Sequence, residues 1–210
     1  MSDRYSSLNL WMTTSRIETL VDGIFAIAMT LLVLSIGVPT ITGHLSETAF
    51  QQQLWALWPN ILCYALSFWI LSGFWRTNHQ QFQFIKRSNP TLITINVLWL
   101  LFIALMPFST EIIAEYGGSY FTANVIFQLN LFFAGFIYIL NWQYATRRGL
   151  LDENISEITI KTLNISSVIL PILSIIALVL SYYVFAWSNL VYLIHPLLKK
   201  ILNRYVNNSN

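Results

Sequence analysis

Long runs of apolar residues, separated by short polar segments, dominate this sequence of 210 residues. Hydrophobic residues make up 56% of the chain and charged residues 10%, whereas soluble domains carry about 25% charged residues. A soluble domain of this size buries only about 70% of its surface, too little to hide so many apolar side chains. A membrane-spanning helix needs about 20 mostly apolar residues. The sequence therefore predicts an all-α, polytopic membrane protein with no room for a second, soluble domain.

Six apolar runs predict six transmembrane helices in a single domain that covers residues 1–210. We expect these helices at about 16–38, 54–76, 91–111, 121–144, 163–183 and 185–200. The last two runs are separated by almost no break, and we expect the turn between Ser181 and Asn189.

The basic residues indicate how the chain is oriented in the membrane. With six spans, all lysines and arginines fall on one side: Arg4, Arg16, Arg76, Lys86, Arg87, Arg147, Arg148, Lys161, Lys199, Lys200 and Arg204. The opposite loops carry only Glu47, Glu111 and Glu115. Because lysine and arginine in short loops favour the cytoplasmic side, we expect both termini in the cytoplasm and the protein in the cell membrane.

The sequence argues against several other classes of protein. The net charge of +2 is too small to indicate a nucleic-acid partner, and one cysteine cannot form a disulfide framework or a cysteine zinc site. The chain has no phosphate-binding glycine loop, no paired-histidine zinc helix and no serine nucleophile elbow. We expect no catalysis, no cofactor and no resident metal.

The first predicted helix carries an acidic residue inside the membrane. Asp22 lies about two turns beyond the expected start of the helix, at 1.5 Å per residue. An unpaired acid at that depth is costly, so such residues are functional candidates. The alternative is a structural clamp between helices, with Asn78, His79 and Asn96 at the same level as candidate partners.

The same helix has a narrow apolar stripe. At about 100° per residue, the stripe contains Gly23, Ile27, Leu31, Leu34 and Val38. Thr30 lies at its margin, and Asp22 lies on the reverse face. Such a stripe most often packs against helices or lipid, and periodicity alone does not distinguish these roles from the lining of a pore.

Residues 16–36, RIETLVDGIFAIAMTLLVLSI, resemble the first helix of the transmembrane protein 175 family of potassium channels. The family signature is an arginine, three residues, then Phe-Ser-Asp-Gly. The chain matches it at Arg16, Asp22 and Gly23, and has Leu20 and Val21 in place of the phenylalanine and serine. Two further segments are similar to the family: WRTNH at residues 75–79, and Asn96 with LMPFST at residues 105–110.

The resemblance implies a homotetramer with potassium ions as the permeant species and the first helix around the pore. It implies a pore constriction at Ile27, Leu31 and Leu34, and a threonine layer at Thr30 that favours potassium over sodium. It also implies a structural polar network, for which we expect Arg16, Asp22, His79 and Asn96. Rings of apolar side chains gate by dewetting. The sequence has no Thr-Val-Gly-Tyr-Gly filter, so we expect moderate selectivity that comes from side chains.

Two other functions compete with a channel at this point. One is an ion-coupled secondary transporter that alternates access around Asp22, although the internal repeats typical of transporters are not evident. The other is a non-conducting membrane scaffold, in which the polar residues only hold helices together.

Overall fold

The computed structural model describes residues 14–39, 43 and 46–208, so that Arg4 lies outside the described part. Every regular element in this part is helical, which confirms the predicted all-α fold. The elements are α1 (Thr14–Leu31), a 3₁₀ segment (Leu32–Ile36), α2 (Glu47–Ala56), α3 (Trp58–Phe84), α4 (Pro90–Ala104), α5 (Met106–Tyr116), α6 (Phe121–Arg147), α7 (Glu157–Val184), a second 3₁₀ segment (Phe185–Ile194) and α8 (His195–Asn208).

Five helical stretches of the described chain are long and apolar enough to cross a membrane. They are Thr14–Ile36, Glu47–Phe84, Pro90–Tyr116, Phe121–Arg147 and Glu157–Leu202. The fifth contains a break at Phe185, whose φ of 49° interrupts the helix inside the range where we expected a turn. Beyond the break, the Tyr192 hydroxyl donates to Ser174 Oγ at 3.2 Å. The second 3₁₀ segment therefore runs back along α7.

Prolines divide two of the predicted spans. Leu57 separates α2 from α3, and Leu105 separates α4 from α5. Pro59 and Pro107 follow these residues at the start of the next helix. A proline lacks the amide proton and clashes with the preceding turn, so it is favoured at a helix start, although a membrane helix also tolerates one in its interior, as α7 does at Pro171.

Several helix ends differ from the predicted ones. The first span ends at Ile36 instead of Val38, because Gly37 adopts a φ of 70° and Pro39 disfavours helical backbone at Val38. In contrast, α3 continues two turns past Arg76 to Phe84. Residues 77–84 are polar enough to resemble a loop, yet Asn78, Gln81 and Phe82 are buried. The second span also begins early, at Glu47, after Ser46 caps α2 through its hydroxyl.

The remaining helices also extend past their predicted ends. They reach Tyr116 in α5, Arg147 in α6 and Asn208 in α8, and α7 begins at Glu157. The hydroxyl of Ser156 caps α7 by accepting a bond from the Thr159 amide at 3.2 Å. These ends are polar, and apolar periodicity does not detect them.

The bundle is arranged around α6, which packs against α4, α5 and α7. Side-chain hydrogen bonds connect neighbouring helices in its interior. Asn130 Nδ2 donates to Ser109 Oγ at 3.0 Å, and Thr110 Oγ1 donates to Ser67 Oγ at 2.9 Å. Hydrogen bonds between helices of this kind are common in membrane bundles, where the hydrophobic effect does not drive helices together.

Two loops meet at one end of the bundle. The Lys86 amide donates to the Leu150 carbonyl at 3.0 Å, and the Asp152 amide donates to the Phe84 carbonyl at 2.7 Å. Arg87 and Glu153 form an ion pair of 3.0 Å across the same contact. The α3–α4 and α6–α7 connections therefore lie on the same side, as an alternating arrangement of spans requires.

Helices α6 and α7 approach each other closely at Gly135. A Cβ atom on this glycine would lie 2.6 Å from Cγ and 2.8 Å from Cδ of Pro171, in a ring that cannot rotate away. We expect Gly135→Ala to lower the free energy of unfolding by about 1–3 kcal/mol, as overpacking in a dense core does. Thermal unfolding of the purified protein in detergent measures this change.

Gly73→Ala is the matched control for this substitution. Gly73 also lies inside a helix, but its Cβ would meet no atom within 4 Å. The same methyl group should therefore be neutral or slightly stabilising there. Equal destabilisation by the two variants would contradict the close approach at Gly135.

Candidate functional site

Helix α1 has one face buried in its own chain. This face contains Ile17, Val21, Phe25 and Ala28, and it continues through Leu32 and Ser35 of the 3₁₀ segment. The spacing of three and four residues is that of a single side of a helix. The opposite side of α1 has no cover from the described part of the chain.

The predicted apolar stripe lies on the uncovered side. Ile27 is 58% exposed, Leu31 is 44% exposed and Leu34 is 66% exposed. The change from α to 3₁₀ geometry after Leu31 also matters, because side chains three residues apart eclipse in a 3₁₀ helix. Leu31 and Leu34 are therefore aligned along one edge, more closely than an α-helix would align them.

Thr30 lies on the exposed side beside this edge. Its hydroxyl donates to the Ile27 carbonyl at 2.8 Å. A hydroxyl has one proton and two lone pairs, so this bond fixes the side chain and leaves oxygen lone pairs available. Thr30 can thus offer an oxygen ligand but no proton to a species that passes the edge.

Asp22 is held by a tryptophan that sequence reasoning did not connect with it. Trp75 Nε1 donates to Asp22 Oδ1 at 2.8 Å, from α3 to α1. The Trp75 ring stacks on His79, with ring centroids 6.1 Å apart and planes 21° apart. Asp22 and His79 therefore belong to one group, but the indole lies between them and provides the hydrogen bond.

The other two residues of the predicted polar network do not join this group. Arg16 is exposed and forms no ion pair with Asp22 within the described chain. Asn96 is 1% exposed, and neither of its amide atoms has a hydrogen-bond partner among the described residues. The expected contact between Asn96 and Asp22 is thus not formed.

Asn96 belongs instead to a set of buried carboxamides inside the bundle. The rings of Phe74, Trp99 and Tyr138 contact one another across α3, α4 and α6, with centroids 5.4–6.1 Å apart. One helical turn closer to the α3–α4 loop, the same faces carry Asn78, Asn96 and Asn141, all buried. Asn96 is therefore an interior residue, remote from the exposed side of α1.

Comparisons with known proteins bear on these residues. The family model described as "Endosomal/lysosomal potassium channel TMEM175" matches residues 16–107, which include every predicted site residue. A curated protein of Streptomyces collinus, named a potassium channel, is 32% identical over 139 residues. That match covers 65% of this chain and 66% of the relative. Over these matched stretches the chain is similar to the TMEM175 family.

A second curated relative comes from Chamaesiphon minutus and is also named a potassium channel. It is 38% identical over 104 residues, which cover 49% of this chain and 50% of the relative. The matched stretches thus span between half and about two thirds of the length of these curated relatives.

A solved structure extends the similarity to almost the whole chain. It is a crystal structure of a homologue, from Chamaesiphon minutus, of the lysosomal potassium-selective channel TMEM175. Its TM-score is 0.72 at 26% identity, and the match covers 93% of this chain and 97% of that one. The family resemblance inferred from residues 16–36, 75–79 and 105–110 is confirmed, and the later helices share the TMEM175 fold.

Proposed function

We propose that copies of this chain assemble into a potassium-permeable channel in which the exposed edge of α1 lines the pore. Two relatives are named potassium channels, and the solved structure is that of a homologue of a potassium-selective channel. The proposal names Ile27, Leu31 and Leu34 because these side chains are exposed on a helix whose opposite face is buried.

The charge of Asp22, which lies on a different side of α1 from the Ile27 edge, favours contact with other copies and water over contact with lipid. Asp22 is exposed in the single chain, and its carboxylate has one hydrogen bond in the described structure. A carboxylate near the centre of a lipid-facing helix costs about 2.5–3.5 kcal/mol on insertion scales. Neighbouring copies and a hydrated path would supply the polar surroundings that lipid tails lack.

Several copies are needed to surround one path. Each chain contributes one α1, and the sequence has no internal repeat that would supply a second. Resemblance to those members of the family whose chain has one six-helix unit supports an assembly of four copies. In such a homotetramer, the α1 edges face a common axis and the remaining helices form the outer wall.

The side chains of this edge account for gating and selectivity. Rings of Ile27, Leu31 and Leu34 form a narrow apolar passage that closes by dewetting, because an ion cannot keep its hydration shell there. Thr30 adds hydroxyl oxygens whose protons are already committed to a backbone carbonyl. Such oxygens are weak ligands, so the channel prefers potassium to sodium moderately.

The proposed orientation places both termini in the cytoplasm, with six spans across the cell membrane. The second 3₁₀ segment and the start of α8, up to Lys200, form the sixth span after the break at Phe185, and the rest of α8 lies at the membrane interface. The paired α3–α4 and α6–α7 loops carry Lys86, Arg87 and Arg148 at one end of the bundle. This pairing supports the positive-inside arrangement inferred from the sequence.

Reconstitution of the purified protein in liposomes tests the proposal. Under asymmetric potassium and sodium, we expect uncoupled cation currents that reverse towards the potassium equilibrium potential. The protein mass of the particle should be four times the 24.2 kDa of one chain. Reconstituted protein that is silent across voltage and pH would favour a scaffold and contradict the channel.

Asp22→Asn separates the channel from a transporter coupled to this carboxylate. The amide oxygen of asparagine still accepts the Trp75 indole proton, and exchanging an acceptor in one hydrogen bond changes its energy by about 1 kcal/mol. We therefore expect potassium flux to change less than about fivefold, a factor that corresponds to this energy. Saturable uptake that is abolished in Asp22→Asn, measured with the same liposomes, would instead identify Asp22 as a coupling site.

A further inference from the structure

A strongly basic groove lies between α3 and α8, apart from the exposed edge of α1. Its volume is about 480 Å³. Arg76 lines it from α3, and Lys199, Lys200 and Arg204 line it from α8. Among the described residues that form its walls, none is acidic.

Among the described residues, no carboxylate pairs with the positive charges in this groove. None of the four basic residues forms an ion pair within the described part of the chain. Lys199 Nζ reaches only the Thr77 hydroxyl, at 3.5 Å, and the Arg76 guanidinium lies 5.7 Å from the ring centroid of Trp69. Converging cations repel one another, and a bound anion relieves this repulsion.

The surroundings of the groove are those of a membrane interface. Leu197 and Ile201 are exposed on α8, so this helix presents apolar side chains as well as its basic ones. Amphipathic helices of this composition lie where lipid headgroups meet acyl chains. Trp69, which is also exposed, extends the groove wall along α3 with an apolar ring.

We propose that this groove binds the phosphate headgroup of an anionic phospholipid. The four basic residues neutralise the phosphate, while Trp69 and the apolar side of α8 border the acyl chains. Basic pockets between transmembrane helices bind anionic lipid headgroups by this combination of charge and apolar surface. The site is separate from the proposed pore, and its occupancy is measurable without any current.

Lipid binding to the purified protein in detergent tests the proposal. We expect phosphatidylglycerol, but not phosphatidylcholine, to raise the midpoint of thermal unfolding and to be retained in native mass spectra. The double variant Lys199→Gln/Lys200→Gln should bind phosphatidylglycerol about 25-fold more weakly, at about fivefold for each basic residue near a lipid surface. The single variant Arg204→Gln changes an exposed residue and should bind phosphatidylglycerol about fivefold more weakly. It tests the site even if the double variant does not fold.

The matched control is Lys86→Gln/Lys161→Gln. It removes the same charge from two exposed lysines outside the groove, so its affinity for phosphatidylglycerol should remain that of the unmodified protein. Equal weakening by both double variants would overturn the site, because it would reflect net charge alone. Inorganic phosphate that stabilises the protein as much as phosphatidylglycerol would overturn the lipid as ligand and indicate a soluble anion.

Discussion

Replacement of Ile27 by asparagine should raise cation flux through the reconstituted protein about tenfold, if it lowers the barrier by about 1.4 kcal/mol. The reason is that the amide offers hydrogen bonds in a ring that otherwise excludes water, so the passage stays hydrated. We expect the flux of sodium and other cations to rise more than the flux of potassium, so that the selectivity for potassium falls. Flux assays in liposomes with each cation in turn measure both effects.

Two controls separate this effect from a general defect in the bundle. Ile27→Leu keeps an apolar ring of the same volume and should leave flux close to that of the unmodified protein. Val33→Asn places the same amide on the 3₁₀ segment, at an exposed position outside the predicted stripe. Unchanged flux and selectivity in Ile27→Asn would count against a constriction at this residue. If Val33→Asn raised cation flux as much as Ile27→Asn does, the increase would not be specific to the stripe.

The exposed edge of α1 was predictable because it depends on local periodicity. Ile27, Leu31 and Leu34 recur at helical spacing in the sequence, and the structure leaves all three exposed. The 3₁₀ geometry of Leu32–Ile36 was not predictable in this way, since a rotation of about 100° per residue assumes an α-helix throughout. Whether this edge lines a pore stays a prediction, because the assembly decides it.

The partner of Asp22 depends on packing between distant segments. Asp22 and Trp75 are 53 residues apart, and their contact requires the relative rotation of α1 and α3. Sequence reasoning sought partners for Asp22 among the polar residues at the same depth and did not consider the Trp75 indole. The signal that was available is the spacing of Trp75 and His79, which places both on one face of α3.

The helix ends illustrate a third limit. A charged residue such as Arg76 ends an apolar run but need not end the helix, and α3 continues because Asn78, Gln81 and Phe82 have interior positions. Asn96 illustrates a related limit. Its polarity suggested a role beside Asp22, whereas its position on α4 places it inside the bundle.

Trp99→Ala is expected to be the most destabilising single substitution considered in this chain. Trp99 is completely buried. Its ring lies 5.4 Å from Phe25 on α1, 6.1 Å from Phe74 on α3 and 5.4 Å from Tyr138 on α6, measured between centroids. Truncating a buried aromatic residue costs about 3–5 kcal/mol through lost contacts and the cavity that remains. Thermal unfolding in detergent measures the loss of stability.

Trp55→Ala is the control, because Trp55 lies on α2 with its side chain 76% exposed, and its truncation should cost well under 1 kcal/mol. Trp99→Phe keeps an aromatic ring between α1 and its neighbours and should recover part of the lost stability. Since Phe25 belongs to the buried face of α1, loosening this contact also loosens the support of Ile27 on the opposite face. Cation flux through Trp99→Phe should therefore be less selective for potassium than flux through the unmodified protein. Unaltered stability and selectivity in both Trp99 variants would show that other contacts hold α1 in place.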